Sequence, residues 1–137
     1  MKKIVLAVLA LVLASCTPKL TENVEARYPN GQPQYVQMLD RSGDCVKWSE
    51  YYDNGQVKME GAMKNGQREG EWKSYFPDGK TQSTGYFEKG QRTGPAKVYW
   101  YTGNLREEGF YKEGKHCGKW RYYDDMGNFL REDDYGE

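Results

Sequence analysis

The 137 residues carry 20 basic and 20 acidic side chains and one histidine. A chain so balanced has no basic patch, which excludes a role driven by polyanion binding and leaves nucleic acid without an electrostatic footprint. Tyrosine (12) and glycine (16) are abundant, while aliphatic residues are scarce after the N-terminus. That excludes a thick Leu/Ile/Val core and favours β-structure with many turns.

The chain opens with two lysines and an unbroken apolar run from Ile4 to Ala14, which reads as a signal peptide over residues 1–15. The run is shorter than the roughly 18 to 20 residues that a membrane-spanning helix needs. Its end, Leu13-Ala14-Ser15-Cys16, resembles a bacterial lipobox. The resemblance implies cleavage before Cys16, with acylation of its thiol and of the new N-terminus. Several acyl chains give a stable anchor where one would be marginal, because each buried methylene contributes roughly 0.8 kcal/mol. Thr17 stands where aspartate would signal inner-membrane retention, so a Gram-negative outer membrane is the expected destination. Removing residues 1–15 takes Lys2 and Lys3 and leaves 18 basic against 20 acidic side chains. Residues 16–26 read as the lipidated cysteine and a flexible tether.

From residue 27 the chain repeats itself every 24 residues. The segments YYDNGQVKMEGAMKNGQREGEWKS (51–74), YFPDGKTQSTGYFEKGQRTGPAKV (75–98) and YWYTGNLREEGFYKEGKHCGKWRY (99–122) follow one another without a gap. A divergent copy precedes them at 27–50, and a partial copy begins at Tyr123. Glycines fall in columns: Gly31, Gly55, Gly79, Gly103 and Gly127; Gly61, Gly85 and Gly109; Gly66, Gly90 and Gly114; Gly70, Gly94 and Gly118. Trp48, Trp72 and Trp120 form another. Self-similarity at such a period is the mark of a repeat architecture. The Asn-Gly and Asp-Gly pairs mark reversals, because glycine and asparagine accept the positive φ of tight turns. Each unit is therefore expected to form two short antiparallel strands.

By the two-residue period, Trp72 and Phe76 are expected on one face and Lys73 and Tyr75 on the other. Tyr28, Tyr52, Phe76 and Trp100 should stack in one aromatic column, and Tyr51, Tyr75, Tyr99 and Tyr123 in a second, as the stabilising element. The mid-strand glycines at 61, 85 and 109 would let rings lie flat on the backbone.

The Tyr-Tyr-x-x-Gly start, the internal glycine, the x-Asn-Gly-x turn and the Gly-x-Trp end resemble the MORN-type repeat, in the variant carried by bacterial YwqK-family antitoxins. The resemblance covers residues 27–137. It implies an all-β, elongated, single-layer antiparallel sheet of stacked hairpins, used for protein or membrane contact and without catalysis. The first copy departs from the pattern at Ser42 and Val46, and Ala96 replaces the tryptophan of the unit at 75.

Gly109-Phe-Tyr-Lys-Glu-Gly114-Lys115 has the spacing of a phosphate-binding loop, but lacks the following Ser/Thr and any helical period. Equivalent glycines in the earlier units assign these to the repeat. His116 stands alone, with no second histidine and no Cys-x-x-Cys for a zinc site or triad; with Arg68 and Arg92 it forms a column that reads as a solvated edge, or as a contact for anionic headgroups. Cys45 and Cys117 share a repeat position three units apart, which separates them by roughly 29 Å, too far for a bridge. The pairs Glu107-Glu108 and Asp124-Asp125 diverge to opposite faces of a strand, and read as edge-blunting charge.

No catalytic, cofactor or metal residues are expected. The sequence reads as a lipid-anchored envelope protein with a binding surface for an unknown protein partner, for which Trp72, Tyr75, Tyr99, Trp100 and Trp120 are the candidates and Cys16 the lipidation site. A toxin to be neutralised, or a cell-wall polysaccharide, are the alternative ligands.

Overall fold

The computed structural model describes residues 18–137. The signal peptide, Cys16 and Thr17 lie outside the described residues. Ten strands follow one another: β1 (Thr21–Arg27), β2 (Pro33–Leu39), β3 (Cys45–Tyr51), β4 (Val57–Lys64), β5 (Gln67–Tyr75), β6 (Thr81–Glu88), β7 (Gln91–Tyr99), β8 (Leu105–Lys112), β9 (Lys115–Tyr123) and β10 (Phe129–Asp134). They form one antiparallel sheet in sequence order, each strand bonded only to its neighbours in the chain. Such a ribbon has no second layer, so its core must be built from side chains lying on their own sheet.

Two turn types alternate. The first is a five-residue reversal, seen at Tyr28–Gln32, Tyr52–Gln56, Phe76–Lys80, Trp100–Asn104 and Asp124–Asn128, in which the first residue's N–H reaches the fifth residue's carbonyl at 2.8–2.9 Å. The second has two residues, Asn65-Gly66, Lys89-Gly90 or Glu113-Gly114, all at positive φ. That is the type I′ geometry that matches strand twist. Lys89 (φ 48) and Glu113 (φ 50) pay a steric penalty that asparagine largely avoids. Lys89→Asn should therefore raise the unfolding free energy by about 0.5 kcal/mol, measurable by chemical denaturation. In the first copy, Ser42-Gly43 displaces the glycine by one residue, and Asp40–Asp44 closes as the five-residue type, with Asp40 Oδ1 accepting from the Ser42 and Asp44 amides.

The tether is shorter than expected. Thr21–Arg27 occupies the register of Cys45–Tyr51 one period earlier and pairs with β2 from Thr21↔Leu39 to Arg27↔Pro33. Its polar composition hides it, yet an edge strand needs only backbone bonds on one side. The sheet thus begins with half a unit and ends with half a unit.

Among the described residues the buried apolar side chains are Val36, Trp72, Phe87, Ala96 and Trp120. The tryptophans lie across the glycines of the neighbouring strand: a Cβ on Gly61 would sit 2.3 Å from Trp72, and one on Gly109 2.3 Å from Trp120. Each indole also donates to a backbone carbonyl, Trp72 Nε1 to Ala62 (3.0 Å) and Trp120 Nε1 to Phe110 (3.1 Å). Gly85 has no ring above it because its partner is Ala96.

The stacked columns are corrected. The members of these two columns lie roughly 10 Å apart in the backbone, and their rings do not lean toward one another as those of Trp48 and Trp72 do. Members of the first column instead donate to the backbone one unit on: Tyr28 Oη to the Tyr51 carbonyl (2.8 Å), Tyr52 Oη to Tyr75 (2.9 Å) and Trp100 Nε1 to Tyr123 (3.0 Å). Phe76 has no donor and packs edge-on to Tyr101, 5.1 Å between centroids. Beside them, Asn30 Nδ2 bonds the Asp53 carbonyl and Asn54 Nδ2 the Pro77 carbonyl. Asp78 takes the next place and cannot donate when ionised, so Lys80 Nζ reaches the Tyr101 carbonyl instead. These bonds tie successive units together along the turn edge.

Candidate functional site

The five aromatic candidates are not brought onto one surface. Trp72 and Trp120 are 4% and 2% exposed, because glycine lets each indole sink onto the backbone. Burial argues that they hold the sheet; it leaves little of either ring for a partner. Tyr75 and Tyr99 are half-buried on the opposite face. Tyr75 Oη donates to Glu60 (3.3 Å), and Tyr123 Oη does the same to Glu108 (3.2 Å). Burial, followed by the nearby Glu60 carboxylate, pushes the Tyr75 hydroxyl up. Trp100 belongs to the turn edge.

The face opposite the indoles carries a charge ladder. Lys47 pairs with Glu60, Lys97 with Glu108 (4.0 Å), and both Lys119 (2.9 Å) and Arg121 (3.0 Å) with Glu132. The two cations hold the Glu132 carboxyl below its usual range, Lys119 most strongly. Pairs this exposed contribute little stability, so their use is to set the polarity of the face. Between them stand Tyr86 and Phe110, 39% and 54% exposed, in one repeat column. Phe110, Pro95, Lys97, Glu108 and Arg121 line an open depression of about 370 Å³. Neither ring was among the five candidates, which came from the Gly-x-Trp end and the Tyr-Tyr start of the repeat. Strand alternation from Gly85 and Gly109 would have placed them outward.

The indole face has its own pattern. Tyr35, Trp48, Trp72 and Phe87 are in contact in turn, at 5.7, 6.0 and 6.1 Å between centroids. The strip continues through Arg92, which lies 5.4 Å from the Phe87 ring and 5.2 Å from Tyr111. His116 is not a solvated turn residue. It stacks on Trp120 at 4.0 Å, and its Nε2 is 3.0 Å from Tyr111 Oη. Arg68 lies 4.3 Å from the Trp72 ring centre. Gly70, Gly94 and Gly118, at φ +67, +64 and +62, accompany slips in pairing close to these residues. A backbone slip of that kind bends the strand.

Glu107 and Glu108 sit on an interior strand, paired with Arg106 and Lys97, so they do not blunt an edge. Asp124 caps its own turn, accepting from the Met126 and Asn128 amides. Lys112 and Lys115 flank the two-residue Glu113-Gly114 turn, and no helix follows the glycines. Cys45 and Cys117 are free thiols on β3 and β9, six strands apart.

The MORN repeat variant matches residues 45–65, 68–89 and 92–113. Each match takes one indole-position strand, a five-residue turn and the following strand, so the family's unit is phased on the β3–β4 hairpin and its successors. No curated protein matches the chain. Among solved structures the chain is similar to part of a glycosylation associate protein (Gap123) complex from Streptococcus agalactiae, at 17% identity and a TM-score of 0.44 over 72% of this chain. The match spans about a fifth of that chain, 20% of its length.

Proposed function

Because the chain belongs to the MORN repeat variant family, we propose that it is a non-catalytic envelope protein, anchored by lipid on Cys16, whose sheet is a protein-binding or scaffolding surface. The observation that carries the reading is the uncovered sheet face on which Tyr86 and Phe110 stand exposed in one column between ion pairs. Exposed aromatic rings rimmed by charge are the composition of interaction surfaces, where Tyr and Phe give contact area at little entropic cost.

A photo-crosslinking residue at position 110 of the full-length protein, irradiated in intact envelopes, is expected to give a discrete protein adduct. Adducts to cell-wall glycan alone would replace this reading with the polysaccharide one, and rescue of growth on co-expression with a captured toxin would specify the antitoxin one. For the anchor, Cys16→Ser is expected to abolish palmitate labelling and release the protein from membranes. Labelling that persists would contradict lipidation at Cys16.

A further inference from the structure

Arg68 and Arg92 differ from the paired cations of the opposite face. On the opposite face the lysines and arginines of neighbouring strands meet carboxylates. Among the described residues, neither Arg68 nor Arg92 has a carboxylate within ion-pair distance. Glu50, the acidic group that acts on Arg68 electrostatically, is already held by Lys58 at 2.8 Å. Burial, and then the charge of Arg92, weaken the hold of Arg68 on its proton. Two like charges have thus been brought toward each other, where an anion would relieve both.

Their placement is built by the repeat. Arg68 and Arg92 flank one ring, Phe87, at 5.2 and 5.4 Å from its centre. They stand on β5 and β7, two strands apart, roughly 10 Å in the backbone. The side chain of Arg92 reaches the bare backbone of Gly85, coming within 3.7 Å of where its Cβ would be. In the unit before, the corresponding glycine is covered by tryptophan; here Ala96 leaves the place open. A small depression of about 60 Å³ remains, lined by Met59, Trp72, Ser74, Ser83 and the two arginines.

We infer that this interrupted position on the indole face binds the carboxylates of an acidic peptide segment, in which acidic side chains stand at alternate positions and so face the same way. Guanidinium groups stacked on aromatic rings are pre-oriented for planar, two-point pairing with carboxylate. Carboxylates two residues apart on one extended chain point the same way, roughly 7 Å apart in the backbone, and each can meet one arginine. The inference rests on the protein-binding reading above, but uses the other face and other residues.

The test is a titration of the full lipidated chain in detergent with the capped peptide acetyl-Glu-Leu-Glu-Leu-Glu-amide, followed by arginine Nε–H shifts. Saturable shifts of Arg68 and Arg92 are expected, none with the Gln-substituted peptide, and about tenfold weaker binding for Arg92→Gln. Ala96→Trp supplies the ring that the other units carry and should remain folded while losing the peptide about tenfold or more. Retained affinity in a folded Ala96→Trp chain would overturn the site. So would shifts that arise with inorganic phosphate or phosphatidylglycerol vesicles but not with the peptide. If the peptide fails while the crosslink at position 110 persists, this inference falls and the docking reading stands; peptide binding without any envelope adduct gives the converse.

Discussion

Gly61→Ala and Gly109→Ala are expected to lower the unfolding free energy by about 3 kcal/mol each, whereas Gly85→Ala should leave it unchanged or raise it slightly. The three glycines share one repeat column and a mid-strand place, so propensity alone predicts a small gain for all of them. Space separates them. A methyl group on Gly61 or Gly109 would overlap the carbons of an indole at 2.3 Å. The ring cannot yield without leaving its buried place and its carbonyl partner, Ala62 or Phe110. At Gly85 the nearest atom is the flexible end of Arg92, at 3.7 Å, an ordinary contact. Alanine then reduces the freedom of the unfolded chain at no steric cost. Urea denaturation followed by circular dichroism reads all three.

Trp120→Ala should cost about 4 kcal/mol and act on the C-terminal part of the sheet first. The indole is the most deeply buried of the core side chains. It contacts Tyr111 at 5.1 Å and His116 at 4.0 Å, and His116 in turn meets Tyr135 at 4.9 Å. Removing it uncovers Gly109, leaves the Phe110 carbonyl without its donor, and undoes the cluster that holds the last residues. Each strand pairs only with its neighbours, and ring contacts reach at most two strands away, so stability is close to a sum of local terms. Amides of β9 and β10 are therefore expected to exchange well before those of β4 to β6. Uniform loss of protection across all ten strands would contradict this locality.

The architecture is legible in the sequence because the repeat writes each constraint several times over. Gly66, Gly90 and Gly114 mark the tight turns, and Gly31, Gly55, Gly79, Gly103 and Gly127 the wider ones, so hairpins and their order follow from spacing alone. Family membership rests on the same columns. What spacing does not convey is how far a side chain reaches. Trp72 and Trp100 look alike as exposed aromatic candidates, yet one lies flat on glycine and the other bonds a carbonyl at the edge of the next unit. Strand β1 was hidden for a related reason: Thr21–Arg27 has no aromatic or glycine signature, and is recognisable only by its register one period before β3. Arg68 and Arg92 read as a solvated edge or headgroup contact because turn-side position suggests solvent, while their guanidinium groups fold back over Trp72, Phe87 and Tyr111. Exposure of Tyr86 and Phe110, by contrast, was available from strand alternation.

Every surface assigned here to a partner depends on the sheet being held by indole-on-glycine contacts, which free the remaining side chains from packing. A double-mutant cycle of Gly61→Ala and Trp72→Ala tests that most directly. With the indole gone, the added methyl group has nothing to strike, so the cost of Gly61→Ala should shrink from about 3 kcal/mol to near zero. An unchanged cost of Gly61→Ala in the Trp72→Ala background would contradict the account.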